Sequence, residues 1–192
     1  MKHTKSCKSE AILDAALDLF WKKGYKSCSM ADVVRKTGVA RYGLYQAFKD
    51  KDQLYCATLK RYHQRLRNRF IKPLSDKRSS FTALVQHFDR VLEQLENGNN
   101  DGCFAHQAAI ERGGKDDNVD IIVSDIFNET QMVYREMISN GIEDGKIRAL
   151  PINELVVYVM GIQRAVIAMT KQKCSLEERQ RYVQCALKLL QP

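Results

Sequence analysis

Apolar residues recur every three to four positions along most of the chain, which is the spacing of one face of an α-helix. The repeat is clear in 12–20, 81–95 and 155–167, and glycine, proline or polar clusters interrupt it between segments. No segment alternates apolar and polar residues as a half-buried strand would. The pattern predicts an all-α protein of about nine helices without internal repeats. The expected ranges are 9–23, two short helices within 29–51, then 51–72, 80–96, 103–111, 117–144, 151–171 and 175–190.

The stretch 29–51 predicts two short helices joined by a tight turn. Ser29 is an expected N-cap, and Gly38 supplies the permissive backbone that a sharp helix-to-helix turn needs. Leu44 and Phe48, four residues apart, form the expected buried edge of the second helix. The residues left facing outward suit the major groove of DNA, namely Arg41, Tyr42, Gly43, Tyr45 and Gln46. The alternative is a helical hairpin whose exposed face is merely polar.

The segments around this pair resemble the N-terminal domain of the TetR family of bacterial transcriptional regulators. The matching pieces are AILDAALDLFWKKGY, SMADVVRKTGV and GLYQAFKDKDQL, in that order. The resemblance implies DNA binding by Ser29, Arg41, Tyr42, Gly43, Tyr45, Gln46 and Lys51. It places Tyr45 and Lys51 at phosphates, and Arg41 is the best candidate for a guanine contact because its fork matches O6 and N7. Ala40 and Tyr42 depart from the family, which commonly has a Ser or Thr cap and a small residue there.

Charge is concentrated in the same part of the chain. The net charge is +8, yet residues 1–72 hold 17 basic and 6 acidic side chains, a net +11, and the remainder has a net −3. A basic N-terminal part on a mildly acidic body indicates a polyanionic partner such as double-stranded DNA.

Composition excludes several other classes of protein. With 44% hydrophobic and 28% charged residues the chain is typical of soluble globular proteins, and no apolar run approaches the length of a membrane span. We therefore expect a cytoplasmic protein without a membrane partner. Six scattered cysteines and four histidines lack metal-ligand spacing, so neither a metal site nor a cofactor is expected.

The predicted organisation has three parts. Residues 1–50 form the DNA-binding helix-turn-helix domain, 51–72 a connecting fourth helix, and 73–192 an effector-binding and dimerisation domain, with 73–77 as linker. Asp117 and Ser175 are expected N-caps, and Gly145 an expected helix end. The resemblance implies a homodimer through the last two helices, which carry apolar stripes, and a small-molecule effector that releases a repressor from a palindromic operator. The candidate effector residues are Tyr62, His87, Cys103, Phe104, His106, Gln107, Met132, Tyr134 and Gln163.

Two further classes of function compete with this interpretation. A helical-bundle enzyme would give the carboxylates Glu111, Asp116, Asp117 and Asp120 catalytic work, but no nucleophile–base constellation accompanies them, and acidic residues are favoured at a helix start anyway. A scaffold protein that does not bind DNA would have no use for the basic N-terminal part.

Cys103 carries a separate hypothesis. It follows a glycine at the expected start of the sixth helix, where outward-pointing amides favour a thiolate, and His106 lies one turn further on. A Gly-Cys here also resembles a subgroup of the family in which some members sense electrophiles or oxidants. The alternative is a small side chain that packs the helix start.

Overall fold

The computed structural model describes residues 2–71, 81–97 and 102–192, with side chains from Glu10 onward and up to Arg69 in the first of these segments. In this part of the chain all regular structure is helical, so the all-α prediction is confirmed. The helices are α1 (Lys2–Ser27), α2 (Met30–Thr37), α3 (Arg41–Phe48), α4 (Lys51–Leu66), α5 (Phe81–Asn97), α6 (Phe104–Arg112), α7 (Asp117–Glu143), α8 (Ile152–Lys171) and α9 (Leu176–Lys188). A π-helical turn, Arg67–Ile71, continues α4. The predicted linker 73–77 lies outside the described residues.

The helices divide into two compact units. Unit 1 contains the chain up to Leu66 together with Phe104–Ile126, and unit 2 contains the described residues of Arg67–Cys103 and of Phe127–Pro192. The sequence had assigned everything after residue 72 to a single C-terminal domain. The structure instead groups α6 and the first ten residues of α7 with the N-terminal helices.

Unit 1 is built around α1, which packs against α2, α4 and α6. Its core contains Leu17, Phe20, Leu54 and Leu59, each with at most 1% of its surface exposed. Gly24 breaks the helical path of α1 with φ 78° and ψ 164°. The break turns Tyr25 inward, where its ring lies 5.0 Å from that of Tyr55.

The caps of the short helices follow from local sequence signals. Ser29 and Asp32 form a reciprocal capping box at the start of α2, and Gly38 ends that helix in the left-handed conformation, as predicted. Ser175 caps α9 in the same reciprocal way with Glu178. The predicted cap of α7 was wrong by one residue, because Asp116 and not Asp117 accepts the backbone N–H groups of Asn118 and Val119.

Unit 2 is organised by α8, which packs against α5 and α9. Arg179 is 2% exposed, and it donates to Thr170 and to Glu96, so its buried charge is paired across α9, α8 and α5. By length and composition alone α8 could cross a membrane, since its most apolar window has a mean hydropathy of 1.4. Eight of its side chains are buried against the unit, which is what a core helix of this composition would also show.

Candidate nucleic-acid interface

The outward face of α3 presents the residues predicted for DNA. Leu44 is fully buried and fixes the helix against unit 1, so the opposite side is exposed. Tyr42 is 78% exposed and Tyr45 36% exposed. The Arg41 guanidinium lies 5.5 Å from the centroid of the Tyr45 ring, so a cation–π contact orients it on the same helix face. Gln46 is exposed beside them. The helix starts at Ala40 without a side-chain cap, as the departure from the family pattern suggested.

Ser29 holds the start of α2 in place. Its Oγ accepts from the Asp32 N–H at 3.1 Å, and its own N–H donates to Asp32 Oδ2 at 2.9 Å. Hydrogen bonds from Ser29, with help from Lys23, hold the pKa of the Asp32 carboxyl well below its usual range. The Ser29 side chain therefore caps α2, and it lies exposed at the N-terminus of that helix.

Lys51 begins α4 with its ammonium nitrogen 4.1 Å from the centroid of the Tyr25 ring. The side chain is half-buried, and its ammonium group is held over the aromatic ring by a cation–π contact. Lys51 is thus a positioned cation.

Arg112, at the end of α6, contacts the same Tyr25 ring as Lys51, although it lies far from both in the sequence. Its Nη2 donates to Asp52 Oδ1 and to Asp116 Oδ2, both at 2.8 Å, and its guanidinium carbon lies 4.2 Å from the Tyr25 ring centroid. The Tyr25 hydroxyl donates to the same Asp52 oxygen. Burial and the Asp52 carboxylate raise the pKa of Tyr25 to about 12, which keeps it a donor at neutral pH. We call Tyr25, Lys51, Asp52, Arg112 and Asp116 the tyrosine cluster.

Glu111 ties α6 to the break in α1. Its Oε2 accepts from the Tyr25 N–H at 2.6 Å, and its Oε1 accepts from Gln107 at 3.1 Å. Gly24 is required here for two reasons, since its φ is left-handed and a Cβ would lie 2.5 Å from Glu111 Oε1. The Glu111 carboxylate therefore replaces the helical partner that the Tyr25 amide loses at the break.

Sequence reasoning did not find the tyrosine cluster. The Arg112–Asp116 pair has the i, i+4 spacing of a helical ion pair, which was a usable local signal. The partners Tyr25 and Asp52 lie 87 and 60 residues away from Arg112, and no periodicity within a helix links such positions.

Three of the four carboxylates that an enzyme would have used have structural partners. Glu111 and Asp116 make the contacts just described, and Asp120 Oδ2 accepts from the Gly114 N–H at 2.9 Å. The described residues contain no group of three or more side chains with metal-ligand chemistry. These acids act as caps and ion-pair partners.

Four candidate effector residues lie in unit 1. Tyr62 and Phe104 pack edge to face with ring centroids 5.8 Å apart, and both contact Trp21. Gln107 donates to Glu111 and to the Phe20 carbonyl. His106 is half-buried on the same helix, α6.

The other five candidates lie in unit 2, where three of them form one chain of hydrogen bonds. His87 Nε2 lies 2.8 Å from the Tyr134 hydroxyl, which donates to Gln163 Oε1 at 3.0 Å. Burial lowers the pKa of His87 to about 4 and raises that of Tyr134, so both are neutral at physiological pH. Cys103 is half-buried just before α6. Met132 does not join this chain, since it is 69% exposed on α7.

The N-terminal helices, which include α3, have counterparts in known proteins. Residues 12–58 match the family described as bacterial regulatory proteins, tetR family. The HTH-type transcriptional repressor ComR of Escherichia coli K12 is 34% identical over 97 residues, which is 50% of this chain and 46% of ComR. The HTH-type transcriptional activator FasR of Mycolicibacterium smegmatis is 30% identical over 90 residues, 45% of this chain and 41% of FasR. The chain thus spans less than half the length of each of these relatives.

Solved structures share the fold across almost the whole chain. A TetR-family regulator from Agrobacterium tumefaciens has a TM-score of 0.85 at 16% identity, with 97% of this chain and 99% of that chain covered. CifR bound to a 26-bp operator DNA has a TM-score of 0.78 at 22% identity over 94% and 95% of the two chains. FadR of Bacillus subtilis in complex with stearoyl-CoA has a TM-score of 0.72 at 19% identity over 93% and 95%. The N-terminal helices of this chain thus match the tetR family of bacterial regulatory proteins in sequence, and almost its whole length shares the fold of these solved structures.

Proposed function

We propose that this protein is a transcriptional regulator that binds double-stranded operator DNA as a homodimer and is released by a small-molecule effector. The observation that carries the proposal is the exposed face of α3, on a helix that Leu44 anchors to the most basic part of the chain. α3 is an eight-residue helix whose buried face is fixed by Leu44 and whose exposed face carries cationic, aromatic and amide groups, and such a helix fits the major groove.

The chemistry of this face supports a division of labour. Arg41 offers two parallel N–H donors for guanine, and its contact with Tyr45 reduces the conformational freedom lost on binding. We assign Tyr45 and Lys51 to the phosphates of the duplex, and the contact of Lys51 with the Tyr25 ring supports this because it holds the cation in one position. The surplus of basic residues in 1–72 would attract DNA of any sequence.

A homodimer through α8 and α9 is supported by the apolar surface that these helices leave uncovered. Four large side chains lie there, with Val157 65%, Tyr158 38%, Tyr182 37% and Leu189 60% exposed. A second copy that covered them would bury these apolar side chains, and a two-fold axis would present two copies of α3 to a palindromic site.

An effector is supported by the relatives and by the polar chain in unit 2. FadR of Bacillus subtilis was crystallised with stearoyl-CoA, so a protein of this fold holds a small molecule. Here the neutral groups His87, Tyr134 and Gln163 offer hydrogen bonds inside an apolar core, and we assign them to the polar end of an uncharged ligand. Tyr62, Phe104, His106, Gln107, Cys103 and Met132 remain candidates for the same function.

We propose repression as the sign of regulation, with release from DNA when the effector binds. ComR is a repressor and FasR an activator, so the sign rests on the more similar relative. A ligand that prefers the DNA-incompetent state would shift the population away from DNA by its difference in affinity. Such a protein acts in the cytoplasm, where bacterial DNA lies.

The test is a selection from a library of randomised 30-bp duplexes, followed by measurement of affinity and stoichiometry. We expect an enriched palindromic sequence bound by two protomers, with affinity that falls steeply as salt rises. An enzyme or a scaffold would enrich no sequence. A protein that sediments as a monomer at micromolar concentration would contradict the homodimer.

A further inference from the structure

Gly43 is a glycine for which the fold gives no reason. It is the third residue of α3, partly exposed, and its φ is not left-handed, so its backbone does not require glycine. A Cβ built there would meet only Val39 Cγ1, at 3.8 Å, which is an ordinary van der Waals contact. Alanine would fit the isolated protein.

Other glycines in the described chain have internal explanations. Gly38 adopts a left-handed φ of 66°, and a Cβ on Gly141 would lie 2.6 Å from Ile147 Cδ1. Gly161 is the other glycine of the described helices at which an added Cβ would meet no close neighbour. It belongs to α8, which we assign to the contact with a second copy. The two helical glycines that packing does not explain, Gly43 and Gly161, therefore lie on helices that we assign to contacts with a partner.

The glycine also weakens the helix that carries it. Glycine is less favourable than alanine in a helix because its backbone loses more freedom on folding. α3 has only eight residues and starts without a side-chain cap, so it has little local stability to lose. What the helix gains from Gly43 has to come from outside the chain, on the face shared with Tyr42 and Gln46.

We propose that Gly43 is the point where α3 comes closest to DNA, and that its missing side chain leaves room for the methyl group of a thymine. The inference rests on the proposed function. The C5-methyl of thymine is the one apolar projection into the major groove, so an A·T pair needs space where the helix approaches most closely. Arg41 and Tyr42 extend from the helix on the N-terminal side of this gap, and Gln46 follows one turn later. A methyl group on residue 43 would occupy the same space.

The proposal is tested with Gly43→Ala on the duplex that wild-type protein selects. We expect the folding equilibrium constant to rise about threefold because alanine is the better helix former. Affinity for the selected duplex should fall at least about tenfold, while affinity for a random duplex changes less than about twofold. Replacing one thymine per half-site by deoxyuridine, which removes only the methyl group, should restore most of the affinity of Gly43→Ala.

A matched control is Gln64→Gly, an uncharged change at an exposed position of α4. It should lower stability and leave affinity for the selected duplex unchanged, the opposite of Gly43→Ala on both measurements. Three results overturn the proposal: equal affinity of Gly43→Ala and wild type, equal losses on selected and random DNA, or no recovery with deoxyuridine at any thymine. If wild type itself selects no sequence, the proposed function fails, and this outcome is distinct from the other three.

Discussion

The guanidinium carbon of Arg112 lies 4.2 Å from the centroid of the Tyr25 ring. This contact joins two residues that are 87 positions apart in the chain. The same guanidinium donates to Asp52 at the start of α4 and to Asp116 at the start of α7. One side chain thus holds the ends of four helical segments, and the start of α4 also carries Lys51. Replacing it tests how far unit 1 depends on α6.

Arg112→Ala should lower the free energy of unfolding by about 1–2 kcal/mol, because it removes a cation–π contact and two charge-assisted hydrogen bonds. Arg112→Lys should recover only part of the loss, since an ammonium cannot reproduce the planar fork. The measurement is urea denaturation at pH 7. Lys146→Ala, which removes an exposed cation from unit 2, is the control and should have little effect. Equal stabilities for the two alanine variants would mean that the tyrosine cluster adds nothing.

Glu111→Ala should destabilise unit 1 by about 1–3 kcal/mol, because the Tyr25 N–H at the break in α1 would lose its acceptor. Glu111→Gln keeps an acceptor oxygen and should cost clearly less. Hydrogen exchange at the Tyr25 amide gives a local measurement, with faster exchange expected only in the alanine variant. Exchange unchanged in both variants would show that the carboxylate is not the partner that protects this amide.

Local signals in the sequence account for the parts of the fold that they determine. Ser29 with Asp32, Gly38 and Ser175 were predictable because caps and turns depend on residues within four positions of each other. The break at Gly24 was visible as a helix end, but its partner Glu111 was not, since it comes from another helix. Nor could periodicity show that Met132 lies exposed on α7 while Tyr134 is buried two residues later. Such differences depend on which neighbouring helices cover each side of α7.

Arg41 and Lys51 should separate specific from non-specific DNA affinity. Arg41→Ala is expected to cost about 1–3 kcal/mol on the selected operator and to relax sequence preference at one position. Lys51→Ala should weaken binding to all duplexes alike and lower the slope of log affinity against log salt by about 1 per protomer. Fluorescence anisotropy titrations at several salt concentrations measure both effects. Equal losses for Arg41→Ala on operator and random DNA would refute the base contact.

His87 should make unit 2 sensitive to acid. Because its pKa is about 4 in the folded protein and about 6.5 in an unfolded chain, the unfolded state binds more protons between these values. The free energy of unfolding should therefore have its full contribution from neutral His87 above about pH 6.5. It should fall as the pH decreases, by about 2 kcal/mol at pH 5. His87→Gln, which does not titrate, should flatten the dependence of unfolding free energy on pH between 7 and 5. A curve parallel to that of wild type would assign the acid sensitivity to other groups.

Cys103 gives the test of redox control. If its thiol is a sensor, a quinone or peroxide should release wild-type protein from the operator and leave Cys103→Ser bound, because an adduct at the start of α6 would disturb that helix. Cys174→Ser, which removes another half-buried thiol of unit 2, is the control and should respond as wild type does. Release of all three proteins, or of none, would show that Cys103 only packs.

The ring contacts of Trp21 have a spectroscopic consequence. Trp21 is the only tryptophan in the chain, and its ring lies 5.2 Å from that of Tyr62 on α4 and 6.0 Å from that of Phe104 on α6. Light that excites tryptophan selectively therefore excites one indole in the chain, placed where three helices of unit 1 meet. The emission of the unlabelled protein would report any ligand that separates α6 from α1, and titration of unmodified protein in a cuvette could screen for the effector.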